Sequence, residues 1–265
     1  MTKLISSAKG KIASTLRRRL IPTGFYFRQE GHCPCCQSKT AFVANDPWLR
    51  DSFRCANCGC IPRNRALLYV LEKYHPNWAS LSIHESSPSG GGASARLRRG
   101  CSGYLASQYY PTRPFGTMVQ EFRNEDLENQ TFGDASFDIV VTQDVLEHVH
   151  DPARVFREIA RTLKPGGSHV CGVPLVNKHR PSQVWATRHQ DGSPNFLHEP
   201  DYHENPVDPK GSPVTMHWGY DIVDFIRKAS GLETTIEYVD DLSQGIRAEY
   251  IEVLVTRKPE SAARN

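Results

Sequence analysis

The sequence is short of several things that would have settled its role at a glance. Its longest apolar runs, such as FDIVV at 137–141, fall far below the roughly 20 residues a membrane-spanning helix needs, so no span is expected. The opening stretch MTKLISSAKGKIASTLRRRLIP has no continuous apolar segment of the signal-peptide kind. The formal net charge is only +3, which argues against a nucleic-acid partner held by bulk charge. There is no G-x-G-x-x-G fingerprint: SIHESSPSGGGASARL at 82–97 runs strand, acid, Gly-rich turn and helix without that spacing. What remains is ordinary: 265 residues, 38% hydrophobic and 23% charged, enough for one large soluble domain with a small appendage.

Near the N-terminus Leu4, Ile5, Ala8, Ile12, Leu16 and Leu20 recur at helical spacing, with Lys9, Lys11 and Arg17 to Arg19 elsewhere on the turn. This reads as a basic helix or arm over 1–29, packed on its own domain with solvated arginines. Weak peripheral association with a membrane surface is the alternative.

Cysteine is unevenly placed. Six of the eight fall between 33 and 60, in the runs CPCC and CANCGC. With no secretion signal, eight cysteines predict a reducing, cytoplasmic setting rather than a disulfide framework. Cys33 with Cys36, and Cys55 with Cys58, are two C-x-x-C knuckles, whose short spacer lets both thiolates face one ion. The expected ligand set is Cys33, Cys36, Cys55 and Cys58 around structural Zn2+, in a ribbon over 30–62. Cys35 and Cys60 are spare thiols, either able to replace a neighbour. Iron can use the same four sulfurs, and a redox pair would lack the βαβ context it normally has. Phe42, Val43, Trp48, Leu49 and Phe53 supply apolar packing between the knuckles.

IPRNRALLYVLEKYHP then predicts a linking helix over 63–78, with Ala66, Leu67, Val70, Leu71 and Tyr74 on one stripe and Pro76 at its end. From 79 to 265 strands and helices alternate: strands at LSIHE, GYLAS, TMVQ, FDIVV, SHVCGVPL, TTIEYVDD and AEYIEVLVTRK, and helices at GASARLRR, DVLEHV, DPARVFREIARTLKPGG and GYDIVDFIRKAS. Asp151 caps the third of these helices, Pro152 takes its first position, and Gly166 and Gly167 stop it. Such alternation implies an α/β fold with a mainly parallel sheet, whose ligands bind at the carboxyl ends of the strands. Glu85, at the end of the first strand, lies at that crevice. A long irregular segment, 176–218, is rich in Pro, His, Asn and Asp and reads as a substrate lid.

FDIVVTQDVLEHVHDPARVFREIARTLKPGG resembles the class I S-adenosylmethionine-dependent methyltransferases, the type-11 group in particular. IPRNRALL after the ribbon, and EPDYHENPVDPKGSPVTMHWGYD, resemble segments of a zinc-ribbon subset of that group. The resemblance implies a Rossmann-like, seven-stranded sheet with helices on both faces, and S-adenosyl-L-methionine as cofactor. It implies that Glu85 meets the ammonium of the cofactor's amino-acid end, and that Ser86, Ser87, Pro88 and Gly90 take the carboxylate or sugar. Ser107 and Gln108 lie by the ribose, where the family usually has an acid. Asp126 and Leu127 face adenine, and Gln143 and Asp144 the methionine part and the acceptor. A general base would come from His148, His198, His203 or His217, with His148 and His203 favoured. The acceptor implied is a small molecule or glycan, methylated on oxygen or nitrogen. An RNA methyltransferase, and a degenerate zinc-dependent interaction protein, are the competing expectations. The oligomeric state is not legible.

Overall fold

A computed structural model describes residues 26–205 and 207–260. Of the basic helix or arm expected over 1–29, residues 1–25 lie outside the described residues, and Phe27 onward is strand. Strand β1 (Phe27–Cys33) and strand β2 (Ser38–Ala44) form an antiparallel hairpin, followed by helix α1 (Leu49–Ser52) and strand β3 (Arg54–Cys55), which pairs with β2. This is the ribbon. Helix α2 (Pro62–Tyr74) has Pro62 at its first turn, where no N–H is needed, and the Asn64 side chain accepts from the Ile61 N–H at 3.2 Å.

The main sheet holds strands β4 (Ser82–Ser86), β5 (Gly103–Gln108), β6 (Met118–Val119), β7 (Phe122–Asn124), β8 (Phe137–Gln143) and β9 (Leu163–Gly172). Helix α3 (Gly92–Gly100) follows β4, and helix α4 (Pro152–Thr162) precedes β9. Six short strands then pair into ribbons: β10 (Gln183–Val184) with β15 (Met216–His217), β11 (Ala186–Arg188) with β12 (Pro194–Phe196), and β13 (Tyr202–His203) with β14 (Ser212–Pro213). They fill much of the segment 176–218 read as a substrate lid. Helix α5 (Ile222–Ser230) and strands β16 (Glu233–Glu237) and β17 (Val253–Arg257) close the fold. The order across the main sheet is β16-β17-β9-β8-β4-β5-β7-β6, with β17 and β6 antiparallel to their neighbours. The chain therefore turns from one side of β4 to the other, and the crevice outside β4 and β8 is the switch point where such sheets bind ligands.

Three sequence readings need correction. The stretch TMVQ is not the third parallel strand; Met118–Val119 is an antiparallel edge, and Phe122–Asn124 pairs with β5, so the sheet has eight strands rather than seven. DVLEHV makes a single turn and no helix. Asp144 is left-handed (φ 53°), and the Glu147 carbonyl accepts from the lid N–H of Thr215 at 2.7 Å instead of continuing a helical ladder. LKPGG does not stop a helix. The helix ends at Thr162, and β9 starts at Leu163 and shifts register against β8 between Phe137 and Ile139, with Gly166 at φ 78° in the irregular stretch.

Helices cover both faces. α4 and α5 bury Val155, Phe156, Ile159, Ile222 and Ile226 on one. On the other, α2 and α3 share a core with the ribbon itself: Phe42 and Phe53 belong to the same buried cluster as Leu67, Val170 and Val253. Arg65 on α2 ties these parts together. It is fully buried and donates to the carbonyls of Phe53 (2.8 Å), Gly245 (2.7 Å) and Cys60, with its guanidinium 4.6 Å from the Phe42 ring centre.

On the α4 face two histidines sit inside the sheet. His84 meets Ser107 Oγ at 2.8 Å and packs on Phe132 and Phe137; His169 meets Thr142 Oγ1 at 3.0 Å and packs near Phe156. Burial pushes each down to about 3, and for His84 the neighbouring His169 and Arg123 add to it. Both are neutral in the folded protein, whereas in the unfolded chain they take a proton below about 6.5. The unfolded state thus binds more protons as pH falls, so stability is complete above that value and is lost below it, by about 2 kcal/mol per histidine at pH 5. Urea midpoints measured from pH 7.5 to 5 are expected to fall accordingly. Replacing Arg65 by Met strips three buried carbonyls of their donor and is expected to cost about 3 kcal/mol or more in the same assay. Arg65→Lys should recover little of it, because an ammonium cannot span the three acceptors.

Candidate functional site

A cleft of about 490 Å3 opens at the carboxyl ends of β4 and β8, within the range usual for small-ligand sites. One wall is the turn after β4, with Ser87, Pro88, Ser89, Gly91 and Gly92; another is Gln143 and Asp144 after β8. The third wall comes from the ribbon and the start of α2, including Cys58, Cys60, Arg63 and Asn64. Two of the strained non-glycine residues lie here: Ser87 and Asp144 both hold φ 53°, a conformation such residues adopt at a cost of about 1 kcal/mol or more. Asp144 is clamped by two guanidiniums, Arg50 at 2.7 Å and Arg63 at 2.6 Å.

The glycine run has one structurally demanding member. Gly92 has φ +56°, and a Cβ there would lie 2.6 Å from Asn64 Cγ. Asn64 in turn donates to Gln143 Oε1 at 3.1 Å, so the bare Gly92 lets α2 reach across to β8. Gly90 and Gly91 face open space.

The other expected cofactor residues divide. Ser87, Pro88, Gln143 and Asp144 line the cleft; Gly90 does not, although its neighbours do. Glu85 is buried, its carboxylate accepting from Ser94 Oγ at 2.6 Å and Tyr104 OH at 2.7 Å, and it is not among the lining residues. Burial raises its pKa against those two donors. Ser86 and Gln108 are buried, and Ser107 is taken up by His84. Asp126 is half-buried and accepts from the Glu128 N–H at 2.8 Å, and burial raises its pKa; Leu127 is in the core. Sequence reasoning passed over Arg63, Asn64 and Ser89, and also Tyr109, an exposed aromatic directly after β5 that stacks on Phe115 at 6.0 Å. The doubled tyrosine of LASQYY was the available signal for the last.

A second cleft, of about 670 Å3, is lined by Arg63, Tyr202, His203, Glu204, Asn205, Asp208 and Lys210 among others, so Arg63 borders both. At its edge the lid brings His203 beside His148: their rings meet edge to face at 4.9 Å. Glu147 joins them, 3.9 Å from His148 Nε2 and 3.8 Å from His203 Nδ1. Burial, with Asp144 nearby, pushes the Glu147 carboxyl up to about 8, and burial pushes His148 down to about 4. His198 and His217 lie apart from this pair, stacked on either side of the Trp185 contact set at 4.3 and 3.9 Å.

In the ribbon, the sulfurs of Cys33, Cys55, Cys58 and Cys60 all lie within 4.8 Å of one another. Cys33 is 3.9 Å from Cys58 and 3.4 Å from Cys60, close to the ~3.8 Å edge of a tetrahedron built on 2.3 Å metal–sulfur bonds. Cys60, one of the two spare thiols, thus joins the mutual group, while Cys36 lies to one side, 3.9 Å from Cys55. Burial opposes ionisation of Cys55, yet the backbone N–H groups of Cys58 and Asn57 bring it down to about 7. The donor set fits one thiophilic ion with no position left open.

Residues 103–171 match a sequence family described as a methyltransferase domain. Over 67 residues the chain is 30% identical to phosphoethanolamine N-methyltransferase 1 of Zea mays, a stretch covering 25% of this chain and 13% of that protein. The phosphoethanolamine N-methyltransferase of Triticum aestivum is 30% identical over 66 residues, again 25% of this chain and 13% of its own. The match therefore spans about 13% of the length of these curated relatives. Among solved structures, an S-adenosylmethionine-dependent methyltransferase from Mesorhizobium loti aligns over 73% of this chain and 98% of its own, with 18% identity and a TM-score of 0.46.

Gly92→Ala is expected to cost about 1–2 kcal/mol, from the left-handed backbone and the displaced Asn64. Gly91→Ala, which meets open space, should stay within about 0.5 kcal/mol. Thermal unfolding of the two variants side by side checks the difference.

Proposed function

We propose that this chain, which carries a class I methyltransferase domain, transfers a methyl group from S-adenosyl-L-methionine to a small-molecule or sugar acceptor. The observation that carries the reading is the cleft at the β4/β8 switch point, walled by two strained non-glycine residues and opening beside a second, lid-covered cleft. The names of the two plant relatives, both N-methyltransferases of a small amine, support the small-molecule side of it.

S-adenosylmethionine, when bound, supplies a methyl on a sulfonium sulfur that leaves as a neutral thioether. The protein's part is chiefly to hold donor and acceptor in line. The Arg63 guanidinium and the N–H groups of the Ser87–Gly92 turn suit the methionine carboxylate, and Asp144 suits its ammonium. Glu85, already engaged by Ser94 and Tyr104, then shapes the turn rather than gripping the cofactor. Gln108 lies on the ribose side, and Tyr109 and Asp126 on the adenine side. The acceptor enters through the second cleft, which His203 lines and at whose edge His148 stands. Zinc in the cysteine centre would be structural: it would hold Cys58 and Cys60, which are themselves cleft residues.

Calorimetry with S-adenosylmethionine and its demethylated product tests the reading. Micromolar binding is expected, weakened at least about tenfold by Asp144→Ala and by stripping the cysteine-bound metal with a chelator. No binding of either compound at millimolar concentration would overturn the proposal and favour an interaction module.

A further inference from the structure

A carboxylate and two imidazoles converge beside the turn after β8. Glu147 is 2% exposed, and both its oxygens lack a hydrogen-bond partner among the described residues. His148 Nδ1 lies 2.9 Å from the Pro213 carbonyl, which can only accept, so Nδ1 carries the proton and Nε2 presents a lone pair. That lone pair is 3.9 Å from Glu147 Oε1, and His203 Nδ1 is 3.8 Å from the same oxygen. These separations are too long for direct hydrogen bonds. A buried carboxylate facing two imidazole nitrogens, with nothing between them, is costly unless a cation sits there. We infer that Glu147, His148 and His203 form a site for a divalent first-row transition-metal ion, distinct from the cysteine centre.

The chemistry of the donor set supports this class of ion. Two imidazoles and one carboxylate suit zinc, iron or cobalt, whereas magnesium and calcium prefer all-oxygen shells. The Pro213 carbonyl accepts from His148 Nδ1 and so fixes the tautomer that leaves Nε2 free to ligate. All three ligand atoms lie within 4.8 Å of one another, slightly wider than the roughly 3–3.4 Å between ligands on one ion at 2.0–2.1 Å bonds. His203, on the two-residue strand β13 and partly exposed, can close that gap. Glu147 and His148 are held from behind, since the Glu147 carbonyl accepts from Thr215 N at 2.7 Å. Three protein ligands leave positions open, and His203 lines the second cleft, so an exogenous oxygen or nitrogen donor can complete the shell. That this donor is the methyl acceptor rests on the function proposed above; the ion site itself does not.

The test uses the full chain with its cysteine centre filled with zinc, titrated with Co2+. Wild type is expected to bind a further equivalent whose spectrum lacks thiolate charge-transfer bands. Glu147→Gln, nearly isosteric, and His203→Ala are each expected to weaken that equivalent by roughly tenfold or more while leaving the zinc content of the cysteine centre unchanged. A crystal soaked in Co2+ should show an anomalous peak between the three side chains. No further equivalent in wild type, a further equivalent untouched by both substitutions, or an anomalous peak at the cysteines alone would each overturn the inference. Cofactor binding measured on the same preparations is independent, so loss of this proposal and loss of the methyltransferase reading are told apart.

Discussion

A guanidinium with no carboxylate partner holds this molecule together. Arg65 is fully buried, and its donors go to three backbone carbonyls belonging to three separate pieces of chain: Phe53 before the second knuckle, Cys60 just after it, and Gly245 in the loop between β16 and β17. A buried cation is expensive unless its charge is met. Here the opposite charge can come from the thiolates, since Cys60 Sγ is 3.4 Å from the guanidinium, and the Phe42 ring face lies over it. A filled four-thiolate centre carries net negative charge, so ion and arginine stabilise each other. The ribbon therefore does not hang from the catalytic sheet; it shares its core.

Three consecutive residues turn that arrangement into a site. Arg65 faces the ribbon, Asn64 bridges to Gln143, and Arg63 reaches Asp144 and Asp51. Helical geometry sends successive side chains about 100° apart, so one short stretch can address three partners. The cleft's third wall is thus positioned by the same turn of helix that anchors the ribbon. This accounts for the unusual glycine run. The usual fingerprint brings backbone close to a phosphate or a carboxylate, but here the one glycine with a steric duty, Gly92, makes room for Asn64. The tight turn falls to Ser87, whose left-handed backbone is held by its N–H to Ser107 O at 2.8 Å.

Much of this was legible. The alternation of apolar strands with capped helices identified the α/β class, and the Asp151–Pro152 start of α4 appears as expected, Asp151 accepting from Arg154 N at 2.9 Å. The cysteine runs identified a local ribbon that gathers four sulfurs within 4.8 Å of one another. What could not be read has a common cause: each case depends on a partner distant in sequence. DVLEHV carries helical periodicity, yet its carbonyls are claimed by Thr215 from the lid. LKPGG looks like a helix stop, yet it is absorbed as a register shift in β9. Spacing favours Cys36, the C-x-x-C partner of Cys33, over the spare thiol Cys60, and only the path of the chain brings Cys60 into the mutual group. Glu85 occupies the motif position of a cofactor ligand, but Tyr104 on the neighbouring strand and Ser94 on α3 draw its carboxylate inward.

The two acids at the end of β8 show how neighbours decide what similar groups can do. Asp144 and Glu147 are separated by one turn of chain. Asp144, between Arg50 and Arg63, is a satisfied anion whose charge is already spent on two cations from the ribbon side. Glu147 has no hydrogen-bond donor among the described residues and lies 3.9 and 3.8 Å from two imidazole nitrogens. The first is held in place by its arginines, and the Asp144–Arg63 pair lines the cleft. The second is unsatisfied until something positive arrives. A single strand end thereby carries an ion pair that lines one cleft and, three residues on, a buried carboxylate without a donor among the described residues, and Arg63 borders both clefts.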